Sequence, residues 1–305
     1  MSLLRRMVSF ALVQMVIEVA AVVVLVILFL FVSGLFPATL DSPIGYTLSN
    51  VLLACLIFGL LLLASRWLEH RPLSEIGLPG HHAGRQLLCG FLLGSCLIGS
   101  VIGVMALAGF YRITGIERMN ANQLFLFLAS LLLMLASAVQ EELVFRGMLF
   151  RLLERTLGSW IAVILSAIAF GAVHLANPNA TLVSALAIAL TAGVITAAIY
   201  MLTRSLWWAI GIHLGWNLFE GPIFGAQLSG KTTPVLFHAA ITGPQAWTGG
   251  AFGPEAGLVT IIIVGSVGLI LCVLAAHKTP AITEIEASQG EGGSSEAAGT
   301  EPAVS

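Results

Sequence analysis

The chain has 305 residues, 58% of them hydrophobic and only 9% charged, with a mean hydropathy of +1.00. Soluble domains carry about 25% charged residues, so this much apolar surface has no aqueous hiding place and the chain reads as an integral membrane protein. A net charge of −2 offers no basic face to phosphates, which excludes nucleic acid as a partner.

A membrane helix needs about 20 largely apolar residues. Stretches that approach this run in chain order over 8–33, 47–66, 86–109, 122–145, 159–176, 181–202, 205–219 and 256–276. The fold expected is therefore all-α, a polytopic membrane helix bundle of about eight transmembrane helices. The first run is too long for a signal-peptide core, and no small-residue cleavage site follows it. With the N-terminus in the cytoplasm, eight spans place Arg5, Arg6, Arg66, Arg71, Arg85, Arg146, Arg151, Arg155, Arg204 and Lys278 on the cytoplasmic side. Only Arg112, Arg118 and Lys231 fall on the far side. That bias sets the orientation: a multi-pass protein of the cell membrane with both termini cytoplasmic, in contact with membrane lipid. Cys55, Cys89, Cys96 and Cys272 lie in apolar stretches without metal-like spacing and read as small core residues.

Five regions follow from this pass. Residues 1–69 hold two N-terminal spans, 70–220 form the core, and 255–278 hold the last span. Residues 221–254 form a glycine-rich extracytoplasmic cap: with the preceding Glu220 they contain seven glycines and four prolines, so no long helix survives there. Aromatic residues scattered through the segment suit packing on the outer membrane face. Residues 279–305, rich in Ser, Gly, Ala and Glu, read as a disordered acidic tail.

Charge inside a span is costly and marks function by default. The intramembrane polar set is Glu18, Glu141, Glu142, Arg146, His174 and His213, with Asn217 beside the last. Glu142 and Arg146 are four apart, on one helical face, and read as a compensated ion pair. Glu141 points about 100° away and has no opposite charge at i±3 or i±4. Its partners have to come from other helices. "FGAVH" places Phe170 and His174 on one face, and "HLGWN" does the same for His213 and Asn217. The turn between the fourth and fifth spans is "RTLGS", near Leu157; Glu141 lies 16 residues before it and His174 lies 17 after. At helical rise both are about 24–25 Å from the turn, so the hairpin brings carboxylate and imidazole level. This requires a helix unbroken from about 122 to 156, roughly 50 Å long and longer than a bilayer is thick, with Gly147 as a place to bend.

A glutamate, two histidines and an amide in a half-wet pocket can hydrolyse an amide with water as nucleophile. Carboxylate and imidazole deprotonate the water, and a second imidazole with a carboxamide stabilises the oxyanion. A zinc version with Glu141, His174 and His213 as ligands is equally easy to draw, although the H-E-x-x-H signature is missing, as is any G-x-S-x-G elbow.

These residues carry a resemblance. "EELVFR", "FGAVH" and "HLGWN" resemble, in order and complete, the EExxxR, FxxxH and HxxxN motifs of the CPBP intramembrane proteases, the CaaX-processing and bacteriocin-processing enzymes. "RPLSEIGL" resembles the segment before the family core, so the likeness covers about 70–220. It implies an intramembrane endopeptidase acting on a membrane-associated peptide or protein. Carried over by position, Glu141 and His174 activate the water, and His213 and Asn217 hold the oxyanion. Glu142, Arg146 and Phe170 support the site. The family is named as a metalloprotease group, yet CaaX-type members look able to work without a metal. The pairing of His213 with Asn217, a poor zinc ligand but a good donor, favours a site with no obligatory cofactor. The chain departs from eukaryotic relatives in its glycine-rich segment after Asn217, so the resemblance does not fix whether substrates are prenylated. The alternatives are a proton-coupled transporter using Glu18, Glu141 and the histidines as a relay, and a non-catalytic membrane scaffold or immunity protein. Transporters often show internal repeats and broken helices, and neither is evident here.

Overall fold

The computed structural model describes residues 3–35, 37 and 42–296, with side chains from Phe10 to His277 among them. The expected residues 297–305 of the tail lie outside the described residues. It is a helical membrane bundle. Helix α1 runs over Leu3–Gly34. Helix α2 covers Pro43–Leu68: Ser42 accepts a hydrogen bond from the Gly45 amide at 3.0 Å, and Pro43 occupies the first turn, where its missing N–H costs nothing. Helix α3 spans Ala83–Leu107. Helix α4, Ala121–Leu157, opens on a reciprocal cap between Asn120 and Gln123 and runs through to Gly158, whose φ of 85° turns the chain where "RTLGS" placed the turn. Helix α5 is Ser159–Ala176, and α6 is Leu182–Thr203. Helix α7 is Leu206–Leu218, α8 the single turn Gln245–Thr248, and α9 Leu258–Glu296. The last continues helically through residues 279–296, part of the stretch read as disordered.

Among the described residues, seven helices are long and apolar enough to cross a membrane. The eighth expected span, 205–219, is α7. Its 13 residues reach only about 20 Å, short of a roughly 30 Å hydrocarbon core, and a π turn, Phe219–Ile223, extends it. Helix α4 is unbroken over 37 residues, as the depth argument required, but its middle, Leu143–Phe150, is a π-helix.

Two features were not expected. The loop before α4 contains strand β1, Tyr111–Ile116, and the glycine-rich segment contains β2, Phe237–Ile241. They pair antiparallel with an irregularity between Ile113 and Gly115. The cap is thereby tied to the loop before α4, and it turns inward to reach the pocket described below. Arg146 also leaves the loop tally, because its side chain is fully buried in the bundle.

Small residues set the helix spacing. "GFLLG" on α3 and "GIHLG" on α7 face each other: a Cβ on Gly94 would lie 2.0 Å from Ile212 O, and one on Gly215 would lie 2.2 Å from Phe91 O. Such close backbone approach is how apolar helices associate where lipid removes the hydrophobic drive. It pins the helix that carries His213 and Asn217. Gly171 does the same for α5, since its Cβ would lie 2.2 Å from Ala185 O on α6.

Candidate active site

Helices α4, α5 and α7 bring the three motifs together. Glu141 Oε2 stands 3.9 Å from His174 Nε2 and 3.9 Å from His213 Nε2. Its other oxygen accepts a hydrogen bond from Ser137 Oγ at 2.8 Å, while Oε2 is buried without a hydrogen-bond partner. A separation of 3.9 Å is too long for a direct hydrogen bond and is a distance one water can bridge.

Each imidazole is held through its far nitrogen. His174 Nδ1 lies 2.8 Å from Phe170 O. A carbonyl only accepts, so Nδ1 carries a proton, and Nε2 is turned towards Glu141. His213 Nδ1 lies 2.9 Å from Glu142 Oε1, and because a carboxylate only accepts, Nδ1 carries a proton here too. Tied-back imidazoles of this kind are pre-oriented for work at the free nitrogen.

The expected Glu142–Arg146 pair forms at 3.2 Å, with neither side chain exposed. Arg146 does more than neutralise Glu142. It donates to Gly193 O at 2.9 Å and Ala192 O at 3.3 Å, in the π turn Ala189–Gly193 of α6, where the helical ladder is irregular. Its guanidinium lies 4.5 Å from the Phe170 ring centroid, a cation–π arrangement. Phe170 also packs against His174 and His213, with ring centroids 5.0 and 6.0 Å away. One aromatic ring thus braces the guanidinium and both imidazoles. π segments recur at functional sites, and here one carries Arg146 and a second accepts its hydrogen bonds.

The site opens into a cavity of about 400 Å³ lined by Glu141, His174, His213 and Asn217. Asn217, 8% exposed, faces the same space as His213, one turn away. The cap contributes Ser229 and Lys231 to its wall. Apolar residues including Leu126, Leu133, Met134 and Ile188 line the rest. Among the described residues, no three His, Cys, Asp or Glu side chains are gathered as a metal site. The donors named above are of the right kind for zinc, but as placed they do not close around an ion.

Residues 123–219 match the family model described as Rce1-like, type II CAAX prenyl endopeptidase. The chain carries a CPBP-family domain. All three motifs fall inside the match, which begins at 123 and leaves "RPLSEIGL" outside it. No curated protein and no solved structure matches the chain.

Glu18 does not join the Glu141 site. It is buried on α1 with Arg151 Nη2 4.0 Å away. Arg151 pairs with Glu69, and so does Arg155 at 2.9 Å. Ten residues separate Arg151 from Glu141, about 15 Å along α4, so the relay linking Glu18 to Glu141 is not assembled. This polar cluster instead fastens α1 and the end of α2 to α4. Sequence reasoning missed Ser137, which lies one turn before Glu141 and was therefore within reach of a spacing argument. It also missed Lys231 of the cap and Glu255 of the turn before α9, which enter the pocket with no local signal.

Proposed function

We propose that the chain is an intramembrane endopeptidase that hydrolyses a peptide bond of a membrane-associated substrate. The convergence of Glu141 Oε2, without a hydrogen-bond partner, on two imidazole Nε2 atoms carries this reading. Glu141, with His174, takes the proton from an attacking water. His213 Nε2–H and the Asn217 amide then donate to the oxyanion that develops on the scissile carbonyl. Glu142 holds His213 in register, and Arg146 and Phe170 hold Glu142 and the rings. No obligatory metal enters this scheme. A zinc ion, were one held by Glu141, His174 and His213, would supply Lewis acidity at the same carbonyl.

The apolar cavity wall suits a substrate with a lipidated or hydrophobic segment beside the cleaved bond, in keeping with the family description. The test is purified full-length chain in lipid vesicles with a farnesylated CAAX-type peptide and its unmodified counterpart, read by mass spectrometry. One new carboxyl terminus is expected from at least one peptide, with turnover retained after treatment with a strong chelator. Absence of cleavage of both would overturn the endopeptidase reading. Loss on stripping, with recovery on stoichiometric zinc, would overturn the metal-free one.

A further inference from the structure

Two carboxyls beside the pocket have no part in the scheme above. Glu255 lies in the turn Pro254–Ala256 before α9, is 8% exposed, and lines the same cavity as Glu141, His174, His213 and Asn217. Its Oε1 is buried without a hydrogen-bond partner. Behind it Glu220, fully buried, follows α7 in the π turn Phe219–Ile223. The Trp216 indole donates to Glu220 Oε2 at 2.6 Å, while Glu220 Oε1 also lacks a hydrogen-bond partner. The turn is rigidly seated: Thr260 Oγ1 donates to Pro254 O at 2.6 Å, and a Cβ on Gly257 would lie 2.4 Å from Trp247 O.

Hydrolysis of an amide needs an acid as well as a base, because an amine does not leave as an anion. Several other polar groups of the pocket already have a partner or a role. His174 Nε2 faces the water-activating carboxylate, His213 and Asn217 face the oxyanion, Trp216 is bonded to Glu220, and Lys231 is solvent-exposed at the mouth. We infer that Glu255, backed by Glu220, is the proton donor to the amine released when the peptide bond breaks. This rests on the hydrolytic reading of the Glu141 site. Burial and then the charge of Glu255 push the Glu220 carboxyl well above the usual carboxylate range, and burial also pushes Glu255 up. Against that rise, Ser229 of the cap, His174 of α5 and His213 of α7 favour the charged form of Glu255. Two neighbouring buried carboxyls cannot both ionise readily, so the pair retains a proton.

The step balances. Water oxygen bonds to the carbonyl carbon as its proton passes to Glu141. On collapse the C–N bond breaks, its electron pair goes to nitrogen, and nitrogen takes the proton of Glu255. Acid and amine leave, Glu141 releases its proton to solvent, and the Glu220–Glu255 pair takes one up.

The experiment compares two reporter peptides in vesicles, identical except that one has a scissile amide and the other a thioester. A thiolate leaves without protonation, since thiols ionise near pKa 8.5. Glu255→Gln is expected to lower the amide-to-thioester turnover ratio by about 10²–10⁴-fold, and Glu255→Asp to recover part of it. The ratio is independent of how much protein folds. An unchanged ratio in Glu255→Gln, or equal ratios for Gln and Asp, would overturn the assignment. A parent chain that cleaves neither peptide would overturn the endopeptidase reading itself, and this inference with it.

Discussion

Replacing Gly94 by alanine is expected to disable the site from across a helix interface, without altering any residue of the pocket. The added Cβ would lie 2.0 Å from Ile212 O and 2.8 Å from Ile212 C. Ordinary contact begins at 3.4 Å, so α3 and α7 have to part by 1.4 Å along that line. Both near atoms are backbone, which cannot swing aside as a side chain can. His213 is the next residue, and its Nδ1 is 2.9 Å from Glu142 Oε1; a shift of that size breaks the bond. Overpacking costs about 1–3 kcal/mol, and losing a hydrogen bond to a charged group costs about 1.5–3 kcal/mol. A displacement near 1 Å also lowers turnover by on the order of 10². Thermal unfolding in detergent and cleavage in vesicles read the two effects. Gly103→Ala is the control, because on the same helix a Cβ there meets nothing within 4 Å; it is expected to match the parent or gain up to about 1 kcal/mol. Parent-like stability and turnover in Gly94→Ala would refute the interface as the element that positions His213.

Three further outcomes follow from the geometry. Removing either member of the buried Glu142–Arg146 pair should cost about 3–5 kcal/mol, and the double change should cost clearly less than the sum in a thermal-unfolding cycle; strict additivity would mean the two do not interact. Asn217→Ala should lower kcat by about 10²–10³ with KM nearly unchanged, because the amide acts on the oxyanion rather than on bound substrate; a change confined to KM would reassign it to binding. Glu220 is raised by burial and by Glu255, so folding favours its protonated form. That contribution is fully present below the ordinary carboxylate pKa and is lost as pH rises through the raised one. Glu220→Gln should therefore gain stability relative to the parent as pH climbs through and above neutrality, and a constant difference from acid to alkaline pH would contradict the shift.

Much of the site was legible because charge in an apolar helix stands out. The i,i+4 spacing gave Glu142–Arg146, the turn at Gly158 gave the common depth of Glu141 and His174, and the pairing on "HLGWN" put His213 and Asn217 on one face. The second role of Glu142, as anchor for His213, was not legible, because it depends on how α7 crosses α4. The position of α7 is fixed against α3 by glycines at 90, 94, 211 and 215, which in a hydropathy profile are only weakly apolar positions. The π segments left no periodic trace, since the same residues satisfy a 3.6-residue pattern nearly as well. Strand β1, "YRITGI", is too short to announce itself and gains its partner from 123 residues downstream, at His238 opposite Gly115 in the register. Glu255 reached the pocket by the same long-range route.

The account stands most directly on the turnover of Glu141→Gln. The substitution keeps the size of the side chain and its ability to accept from Ser137, and removes only the carboxylate that faces His174 and His213 at 3.9 Å. At matched expression and in the same vesicles, cleavage of the reporter peptide should fall by about 10²–10⁴-fold while the thermal unfolding midpoint stays at or above that of the parent. Cleavage at the parent rate by folded Glu141→Gln would contradict the claim that this carboxylate activates the water.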